Sequence, residues 1–224
     1  MKREIMTTAD GSTTIHIPEW NEQYHSKHGA IQEAYHVFIK TGFNHFPKEI
    51  SPIKILEIGF GTGLNALITS LEAKNQDRNV EYCGVEGYPV SLQEMSQLNY
   101  ATALDHASAE VYFQNIHEGD WEENFEVHDQ FQLIKQEKMF DEIENRNEFD
   151  LIYFDAFGAR VQPELWDVAM FQKMYEALKE NGILVTYSAK GSVRRALQEV
   201  GYTVERLEGP PGKREMLRAT KGNL

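Results

Sequence analysis

Three closely spaced glycines mark the part of the chain that is best suited to bind a ligand. Gly59, Gly61 and Gly63 follow an apolar run typical of a buried strand and precede a segment with helical spacing. Glycines in such a turn let the backbone pass close to a ligand where any Cβ would clash. A dinucleotide fingerprint would be G-x-G-x-x-G, but Leu64 stands where its last glycine belongs. The turn therefore predicts a bound ligand and disfavours NAD.

Acidic residues around this turn match a different nucleoside ligand. The G-x-G-x-G spacing is that of the first motif of class I methyltransferases, which bind S-adenosylmethionine. Glu57, before the turn, can reach the amino-acid portion of that ligand, and Glu86, after the next predicted strand, can bind its ribose hydroxyls. Glu137, after the third strand, is the candidate to face the adenine, and Asn65 completes the turn. The alternatives are a turn without a ligand and solvated glutamates at strand ends.

Asp155 is the candidate for proton transfer. It ends a nearly continuous apolar run, Phe149–Phe154, at the edge where open α/β sheets bind ligands. Methyl transfer to an alkyl ammonium needs a group that holds the nitrogen in line and accepts its proton. An N-cap or turn role is the alternative for Asp155. Phe157 and Trp166 either wall a base pocket by stacking or belong to the core, and the core is favoured for Trp166.

Alternating strand and helix patterns would position these residues. Five apolar runs predict parallel strands: Ile53–Ile58 and residues 80–85, 131–134, 149–154 and 183–187. Helical segments lie between them, and the one at residues 165–178 is expected to end at an Asn181-Gly182 cap. Residues 202–207 and 215–219 predict a closing antiparallel pair joined by a Pro-Pro-Gly connection. Repeated β-α units imply a mostly parallel sheet with helices on both faces.

The first 50 residues predict an extension of this unit. Asp10-Gly11 between two strand-prone stretches is typical of a hairpin, and residues 29–41 have helical spacing. The fold class is therefore α/β, a class I methyltransferase Rossmann-like fold with a mostly parallel seven-stranded sheet and an N-terminal extension. Residues 1–50 are expected to pack on the core, and residues 51–224 to form the S-adenosylmethionine-binding domain. Residues 105–129 carry no clear pattern.

Charge is unevenly distributed along the chain. The sequence carries a formal net charge of −13, which by itself disfavours a nucleic-acid partner. From Lys179 onward, however, there are nine Lys and Arg residues and only five Asp and Glu residues. A basic C-terminal quarter can present one positive face, although chance clustering on a solvated surface is an equal alternative.

The remaining composition predicts a cytoplasmic protein that binds neither a membrane nor a metal. Cys83 is the single cysteine, so no intrachain disulfide is possible. No apolar run approaches the roughly 20 residues that span a bilayer, and the N-terminus lacks a signal-peptide core. Histidines recur in the first forty residues without any nearby cysteine, so we expect no metal site at His16, His25, His28 and His36.

Several segments together resemble one family, the tRNA 5-methylaminomethyl-2-thiouridine methyltransferases. They extend from about Ile15 to Ala219, in this order: Tyr24-His25-Ser26 with Gly29-Ala30, Glu57 to Asn65, Asp155-Ala156-Phe157 with Pro163-Glu164-Leu165-Trp166, Gly191 with Val193-Arg194-Arg195, and Lys213-Arg214-Glu215-Met216-Leu217. The glycine turn is generic, whereas the third and last of these segments are specific to the family.

The resemblance implies an activity and residue roles. It implies methylation, by S-adenosylmethionine, of the 5-aminomethyl group on the tRNA wobble uridine, with Asp155 at the reacting amine and Tyr24 over the cofactor. Bifunctional members carry a flavin-dependent domain after the methyltransferase, and this sequence has no second glycine fingerprint, so a stand-alone methyltransferase without flavin is expected. The family often has Gly-Asp after strand three, where this chain has Gln136-Glu137.

The partner implied by the resemblance is tRNA. Phe157 is expected to stack on the base, and four cations are expected to meet phosphates, with a solvated surface as the alternative: Arg194, Arg195, Lys213 and Arg214. Two other functions stay open. One is a class I methyltransferase acting on a small amine, and the other is a non-catalytic cofactor-binding fold that serves as a tRNA-binding or scaffold partner.

Overall fold

A small antiparallel sheet opens the chain in the computed structural model, which describes residues 2–222. Strand β1 (Glu4–Thr7) pairs with β2 (Thr13–Ile17), and the short β3 (Glu22–Gln23) pairs with the other edge of β2. The hairpin turn lies at Asp10-Gly11, as the sequence predicts. Gly11 has a φ of 84°, and the Asp10 carboxylate accepts a hydrogen bond from the Ser12 amide at 3.1 Å. Local chemistry closes this turn, and hydrogen bonds from Gln32 to Asp10 and from Asn99 to the Gly11 carbonyl join it to later segments.

The predicted N-terminal helix is present and packs on the main sheet. Helix α1 (Ala30–Ala34) continues as a π-helical segment, Tyr35–Lys40. Its apolar side chains are buried, and the ring of Phe38 lies 4.9 Å from that of Tyr153 in the centre of the sheet. The extension therefore shares a hydrophobic core with the strands that follow it.

Eight strands form the main sheet, in the order β10-β11-β9-β8-β4-β5-β7-β6. Their bounds are β4 (Ile53–Ile58), β5 (Val80–Glu86), β6 (Asn124–His128), β7 (Phe131–Glu137), β8 (Phe149–Phe154), β9 (Leu178–Thr186), β10 (Tyr202–Glu208) and β11 (Glu215–Lys221). The five central strands are parallel, whereas β11 and β6 run antiparallel to their neighbours. The predicted closing pair, β10 and β11, is confirmed.

Helices cover both faces of this sheet, as the β-α alternation predicts. Their bounds are α2 (Leu64–Gln76), α3 (Leu92–Met95), α4 (Tyr100–Ala103), α5 (Ala109–Glu118), α6 (Val168–Ala177) and α7 (Gly191–Val200). Tyr153 packs into the core beneath α1 and α2, whereas its neighbour Phe154 packs into the core beneath α6 and α7. Successive side chains of a strand point to opposite faces, so the apolar run of β8 is buried on both.

Two parts of the sequence prediction are wrong. The sheet has eight strands, not seven, because the unpatterned residues 105–129 contain α5 and the edge strand β6. The helix predicted at residues 165–178 ends at Ala177, and the Asn181-Gly182 pair lies within β9 instead of capping the helix. Asn181 still adopts the left-handed conformation, with a φ of 63°, where the pairing of β8 and β9 shifts register.

Two arginines hold the N-terminal sheet over the carboxyl edge of the parallel strands. Arg3 donates to the carbonyl oxygens of Tyr88 at 2.6 Å and Pro89 at 3.1 Å, just beyond β5. Arg160, in the segment after β8, donates to the Trp20 carbonyl at 2.6 Å and to Glu22 at 2.9 Å. The extension therefore forms a roof above the strand ends. None of the helices within residues 2–222 is long and apolar enough to cross a membrane.

Candidate active site

A cavity of about 720 Å³ lies between this roof and the carboxyl edge of the parallel strands. The glycine turn after β4, the ends of β5 and β8, and the connection between β10 and β11 all contribute to its walls. The N-terminal sheet contributes aromatic and polar side chains to the opposite wall. The carboxyl ends of parallel strands are where open α/β sheets bind ligands, so the position of the cavity agrees with the fold.

The glycine turn needs glycine because the protein itself approaches it closely. Gly59 has a φ of 87°, and a Cβ there would lie 2.8 Å from the carbonyl oxygen of Asp155. Gly61 has a φ of 52°, and a Cβ there would lie 3.0 Å from the ring of Tyr24. Gly63 is also left-handed and begins helix α2. The turn therefore brings β4, β8 and the N-terminal roof into contact at one point.

Glu86 lines the cavity at the end of β5 and organises the turn. Its Oε2 accepts a hydrogen bond from the Gly61 amide at 2.9 Å, and its Oε1 accepts one from the Tyr88 amide at 2.9 Å. Only 9% of the residue is exposed, and this places a carboxylate at the inner wall of the cavity.

Glu137 is not brought to the cavity wall. Its side chain is exposed at the end of β7, and its amide donates to Glu122 at 2.7 Å. The chain then turns across the end of β5, where the Lys138 amide donates to the Glu86 carbonyl. This turn carries the next residues, including Met139 and Asp141, into the cavity wall. The adenine contact expected from the sequence therefore has no support from the position of Glu137.

Asn65 joins two carboxylates at the base of the cavity. Its Nδ2 donates to Glu57 Oε1 and to Asp155 Oδ2, both at 2.8 Å, and the Tyr82 hydroxyl donates to Glu57 Oε2 at 2.8 Å. Asn65 Oδ1 is buried and has no hydrogen-bond partner among the described residues. The cluster thus presents acceptors, which suits a ligand that carries an ammonium group.

Burial controls the charge of this cluster. Removal from water raises the pKa of Glu57 well above its usual value, and the neighbouring Asp155 raises it further. Burial, followed by the nearby Glu33 carboxylate, raises the pKa of Asp155 to about 7, against the lowering influence of Asn65 and Lys213. Asp155 is therefore poised to take up or release a proton near neutral pH.

Lys213 lines the cavity with its side chain half-buried. Its Nζ lies 2.5 Å from Glu33 Oε1 and 3.9 Å from the centre of the Tyr187 ring. The other three cations expected to meet tRNA are not in the cavity lining. Arg195 and Arg214 are exposed, and Arg194 is half-buried. Sequence reasoning missed Glu33, because an acidic residue in an amphipathic helix gives no signal of its own.

Aromatic rings stand at the rim of the cavity. The half-buried Phe157 packs edge-to-face against Tyr24 at 5.0 Å and Trp20 at 5.4 Å, and all three line the cavity. Trp166 is only 4% exposed and belongs to the core, as its helical position favours. Its indole nitrogen donates to the Phe157 carbonyl at 2.7 Å, which fixes the segment that carries Phe157.

His25 and Cys83 are held in environments that make them unreactive, and neither belongs to a cluster of metal ligands. His25 shares a hydrogen bond with the Thr14 hydroxyl at 3.0 Å, and burial lowers its pKa to about 4, so it is neutral at pH 7. Burial raises the pKa of Cys83 to about 12, which leaves it an unreactive thiol. Within residues 2–222, no three His, Cys, Asp or Glu side chains are grouped as metal ligands.

Comparison with known protein families decides what kind of enzyme this cavity serves. The model of a family of S-adenosyl-L-methionine-dependent methyltransferases matches residues 85–222, which is more than half of the chain. The chain belongs to this family. Its cofactor is S-adenosylmethionine, as the glycine spacing predicts.

Relatives of this methyltransferase have names that state a specific pathway of tRNA modification. The chain is 28% identical to the tRNA 5-methylaminomethyl-2-thiouridine biosynthesis bifunctional protein MnmC of Hydrogenovibrio crunogenus, over 88% of this chain and 31% of that protein. It is 29% identical to the protein of the same name from Leptospira borgpetersenii, over 91% of this chain and 33% of that protein. The chain thus spans about a third of the length of these relatives.

Solved structures resemble the methyltransferase to different extents. The crystal structure of MNMC2 from Aquifex aeolicus superimposes with a TM-score of 0.82 at 26% identity, over the whole of this chain and 71% of that one. The spermidine synthase of Thermotoga maritima gives a TM-score of 0.54 at 14% identity, over 99% of this chain and 72% of that one. The second likeness shows the fold alone.

The residues present fit S-adenosylmethionine. Asp155 and the unpartnered Asn65 Oδ1 offer acceptors in the cavity wall that would hold the amino group of the cofactor. Glu57 is fully buried outside the cavity lining, and both of its oxygens already accept hydrogen bonds, so it supports Asn65 and does not face the ligand. Glu86 offers a carboxylate in the cavity wall, beside the glycine turn, that would receive the ribose hydroxyls. Tyr24 stands over Gly61 from the N-terminal roof, where it would cover the bound cofactor. The positions of Glu86 and Tyr24 are compatible with the roles predicted from the sequence.

Proposed function

We propose that this methyltransferase acts on tRNA and converts 5-aminomethyl-2-thiouridine at the wobble position into 5-methylaminomethyl-2-thiouridine. The observation that carries the proposal is Asp155, a carboxylate with a pKa of about 7 in the cavity wall, beside the cofactor turn. Relatives that match about nine-tenths of the chain are named for the biosynthesis of this nucleoside, which supports the choice of substrate.

Asp155 has the properties that methylation of an amine requires. An alkyl ammonium has a pKa of about 10 and therefore keeps its proton at neutral pH. It needs a proton acceptor before its nitrogen can react. When bound, S-adenosylmethionine supplies a methyl carbon whose bond to sulfur breaks as the new bond to nitrogen forms. Asp155 holds the amine in line and takes its proton, and a carboxylate with a pKa near the working pH does this best.

The rim of the cavity suits a nucleotide. The Phe157, Trp20 and Tyr24 rings offer faces and edges on which an extruded pyrimidine can stack. Two exposed cations, Lys27 and Lys190, line the cavity, and Arg195 and Arg214 are also exposed. Exposed cations of this kind would meet tRNA phosphates on a protein whose formal net charge is −13.

The carboxylates of the cavity also favour a second candidate function, methylation of a small free amine. Glu33 and Asp155 line the cavity and would attract a cationic amine that enters. The two candidates differ in whether the aromatic rim and the cations are used, so one experiment separates them.

The test is methylation by the purified protein of tRNA that carries 5-aminomethyl-2-thiouridine. We expect nucleoside mass analysis to show this residue gaining one methyl group when S-adenosylmethionine is added. Unmodified transcripts of the same tRNA serve as the control and should stay unchanged. Methylation of free polyamines in preference to the tRNA would favour the second candidate, and methylation of neither would contradict both.

A further inference from the structure

The ion pair between Lys213 and Glu33 links two distant parts of the chain across the cavity wall. Lys213 lies in the connection between β10 and β11, and Glu33 lies in α1, 180 residues earlier. The second oxygen of Glu33 accepts a hydrogen bond from the Ser26 amide at 2.8 Å, and Glu33 is only 8% exposed. A fixed carboxylate therefore anchors the ammonium of Lys213.

The Tyr187 ring fixes Lys213 from a second side. The ammonium lies 3.9 Å from the ring centre, and the Tyr187 hydroxyl donates to the Ala156 carbonyl at 2.8 Å. Ala156 directly follows Asp155, so the ring ties Lys213 to the segment that carries the proton acceptor. A lysine that served only to attract phosphates would gain nothing from such fixation, because a mobile surface cation meets phosphates equally well.

Asp155 stands in acidic surroundings. Glu33 of α1 raises its pKa and Lys213 lowers it. Asp155 in turn raises the pKa of Glu57 of β4, of Tyr82 of β5 and of Tyr187, which follows β9, and Glu86 acts on Glu57. Asn65 of α2 adds a neutral donor. Within the part of the chain that the structure describes, Lys213 is the single cation of this set. Without it, burial and the Glu33 carboxylate would both favour protonation of Asp155.

We propose that Lys213 is a positioning residue that acts through Asp155: held by Glu33 and the Tyr187 ring, its ammonium keeps Asp155 as a carboxylate that can accept the proton of the substrate amine. This inference rests on the proposed function, because it concerns the proton that an amine substrate must lose. A protonated Asp155 could neither attract the ammonium nor relieve it of its proton. The electrostatic influence of Lys213, which lowers the pKa of Asp155 against burial and Glu33, supports this role.

The test is the pH dependence of single-turnover methylation for the wild type and three variants. The wild-type rate should rise with pH as Asp155 ionises. Lys213→Met should move this rise to higher pH by up to about one unit, the lower end of the effect of an opposite charge, because Lys213 influences the pKa of Asp155 less than Glu33 does. The variant should therefore be up to about fivefold slower at pH 7 and approach the wild type at high pH.

Glu33→Gln and Lys213→Arg are the matched controls. Glu33→Gln removes a like charge beside Asp155 and leaves the ammonium, so the rise should move to lower pH. Lys213→Arg keeps the charge and should restore the wild-type profile. Lys213→Met slowing the reaction by one factor at every pH would show a structural role and overturn the inference, as would shifts in the same direction for Lys213→Met and Glu33→Gln.

A titration without substrate separates this inference from the proposed function. The Asp155 carboxyl can be followed by carbon NMR in the free protein and assigned by its loss in Asp155→Asn. We expect its pKa to rise in Lys213→Met and to fall in Glu33→Gln. An unchanged pKa in both variants would overturn the inference even if tRNA is methylated. Shifted values in a protein that methylates no tRNA would instead contradict the proposed function alone.

Discussion

Asp155 costs the folded protein stability whenever it ionises, because burial and Glu33 hold its pKa at about 7, against 3.8 for an ordinary aspartate. An active site commonly keeps such a group in spite of this cost, because the chemistry needs it. The same residue should therefore show opposite effects of mutation on activity and on stability.

Replacement of Asp155 by Asn should lower single-turnover methylation by roughly 10²–10⁴-fold at pH 7, the usual contribution of a positioned proton acceptor. The defect should shrink as the pH rises and the free amine becomes abundant. Affinity for S-adenosylhomocysteine should change little, because one acceptor oxygen remains for the Asn65 amide. The exposed Asp129, which pairs with Lys74, offers the control change Asp129→Asn. Near wild-type rates for Asp155→Asn at pH 7 would make Asp155 structural.

The stability of the same Asp155→Asn variant should exceed that of the wild type above pH 7. Between pH 3.8 and about 7 the unfolded chain loses the Asp155 proton while the folded protein keeps it. Wild-type stability therefore falls across this window, relative to the variant, and the full difference persists above it. Each kcal/mol gained should raise Tm by roughly 2–4 °C for a chain of this size. Thermal unfolding at pH 4 and pH 8 measures the effect, and equal differences at both would contradict it.

Glu86 and Glu137 offer a matched pair for cofactor binding, since they are partners in the register of β5 and β7. Glu86→Ala should weaken S-adenosylhomocysteine binding by about 1.5–3 kcal/mol, roughly tenfold to a hundredfold, through loss of a charge-assisted hydrogen bond. Glu137→Ala should leave it unchanged, because its side chain lies outside the cavity wall. Calorimetry measures the affinity of both variants for S-adenosylhomocysteine. A larger loss of affinity for Glu137→Ala than for Glu86→Ala would support the adenine contact expected from the sequence.

At the scale of elements, the glycine turn depends on the strand beside it. Phe60 of the turn is 3% exposed and donates its amide to the Val85 carbonyl of β5 at 3.0 Å. Its ring lies directly over Gly84 in the middle of that strand. A glycine inside a strand often marks such a close approach, so the signal is present in the sequence although its partner is not.

Gly84→Ala should therefore disturb the turn from a distance. The new Cβ would overlap the Phe60 ring, which must move together with the turn. We expect a loss of about 1–3 kcal/mol in the free energy of unfolding, as for other overpacked sites, and weaker binding of S-adenosylhomocysteine. Gly191→Ala is the control, since its Cβ would meet only the flexible end of Arg195. Denaturant titration of both variants checks this, and an unchanged Gly84→Ala protein would show that the ring relocates freely.

At the scale of the whole molecule, buried carboxylates of the cavity contrast with cations that are exposed. Glu33 and Glu86 are buried in the cavity wall, whereas Lys190, Arg195 and Arg214 are exposed. Surface cations act on distant phosphates only at low salt, because the Debye length is about 10 Å at 0.1 M ionic strength. A protein with a net charge of −13 therefore depends on the position of these few cations for any contact with tRNA.

The salt dependence of tRNA binding should reveal which cations these are. Arg195→Ala combined with Arg214→Ala should flatten the slope of log affinity against log salt by about 0.7–0.9 for each phosphate that the variant no longer neutralises. Lys213→Met should leave the slope nearly unchanged, since its ammonium is paired with Glu33. Filter binding across a salt series measures both. A wild-type slope in the double variant would remove the two arginines from the interface.

What the sequence determines by itself is local in origin. The Asp10-Gly11 hairpin, the strand of Phe149–Phe154 and the glycine turn before α2 follow from turn chemistry and from the period of apolar residues. Those features involve neighbours in the chain, so the linear order of residues contains them. The same holds for the fold class, because repeated β-α units leave few topologies open.

Only the tertiary structure decides where long side chains at the ends of elements point. Lys213 lies in a basic stretch, as a phosphate contact would require, yet it turns inward because Glu33, 180 residues away, and Tyr187 hold it there. Glu137 lies beyond the strand expected at residues 131–134 and ends the observed β7, but it stays outside the cavity because the chain turns immediately after it. Such directions depend on packing between segments that are remote in sequence, and neither residue type nor spacing encodes them.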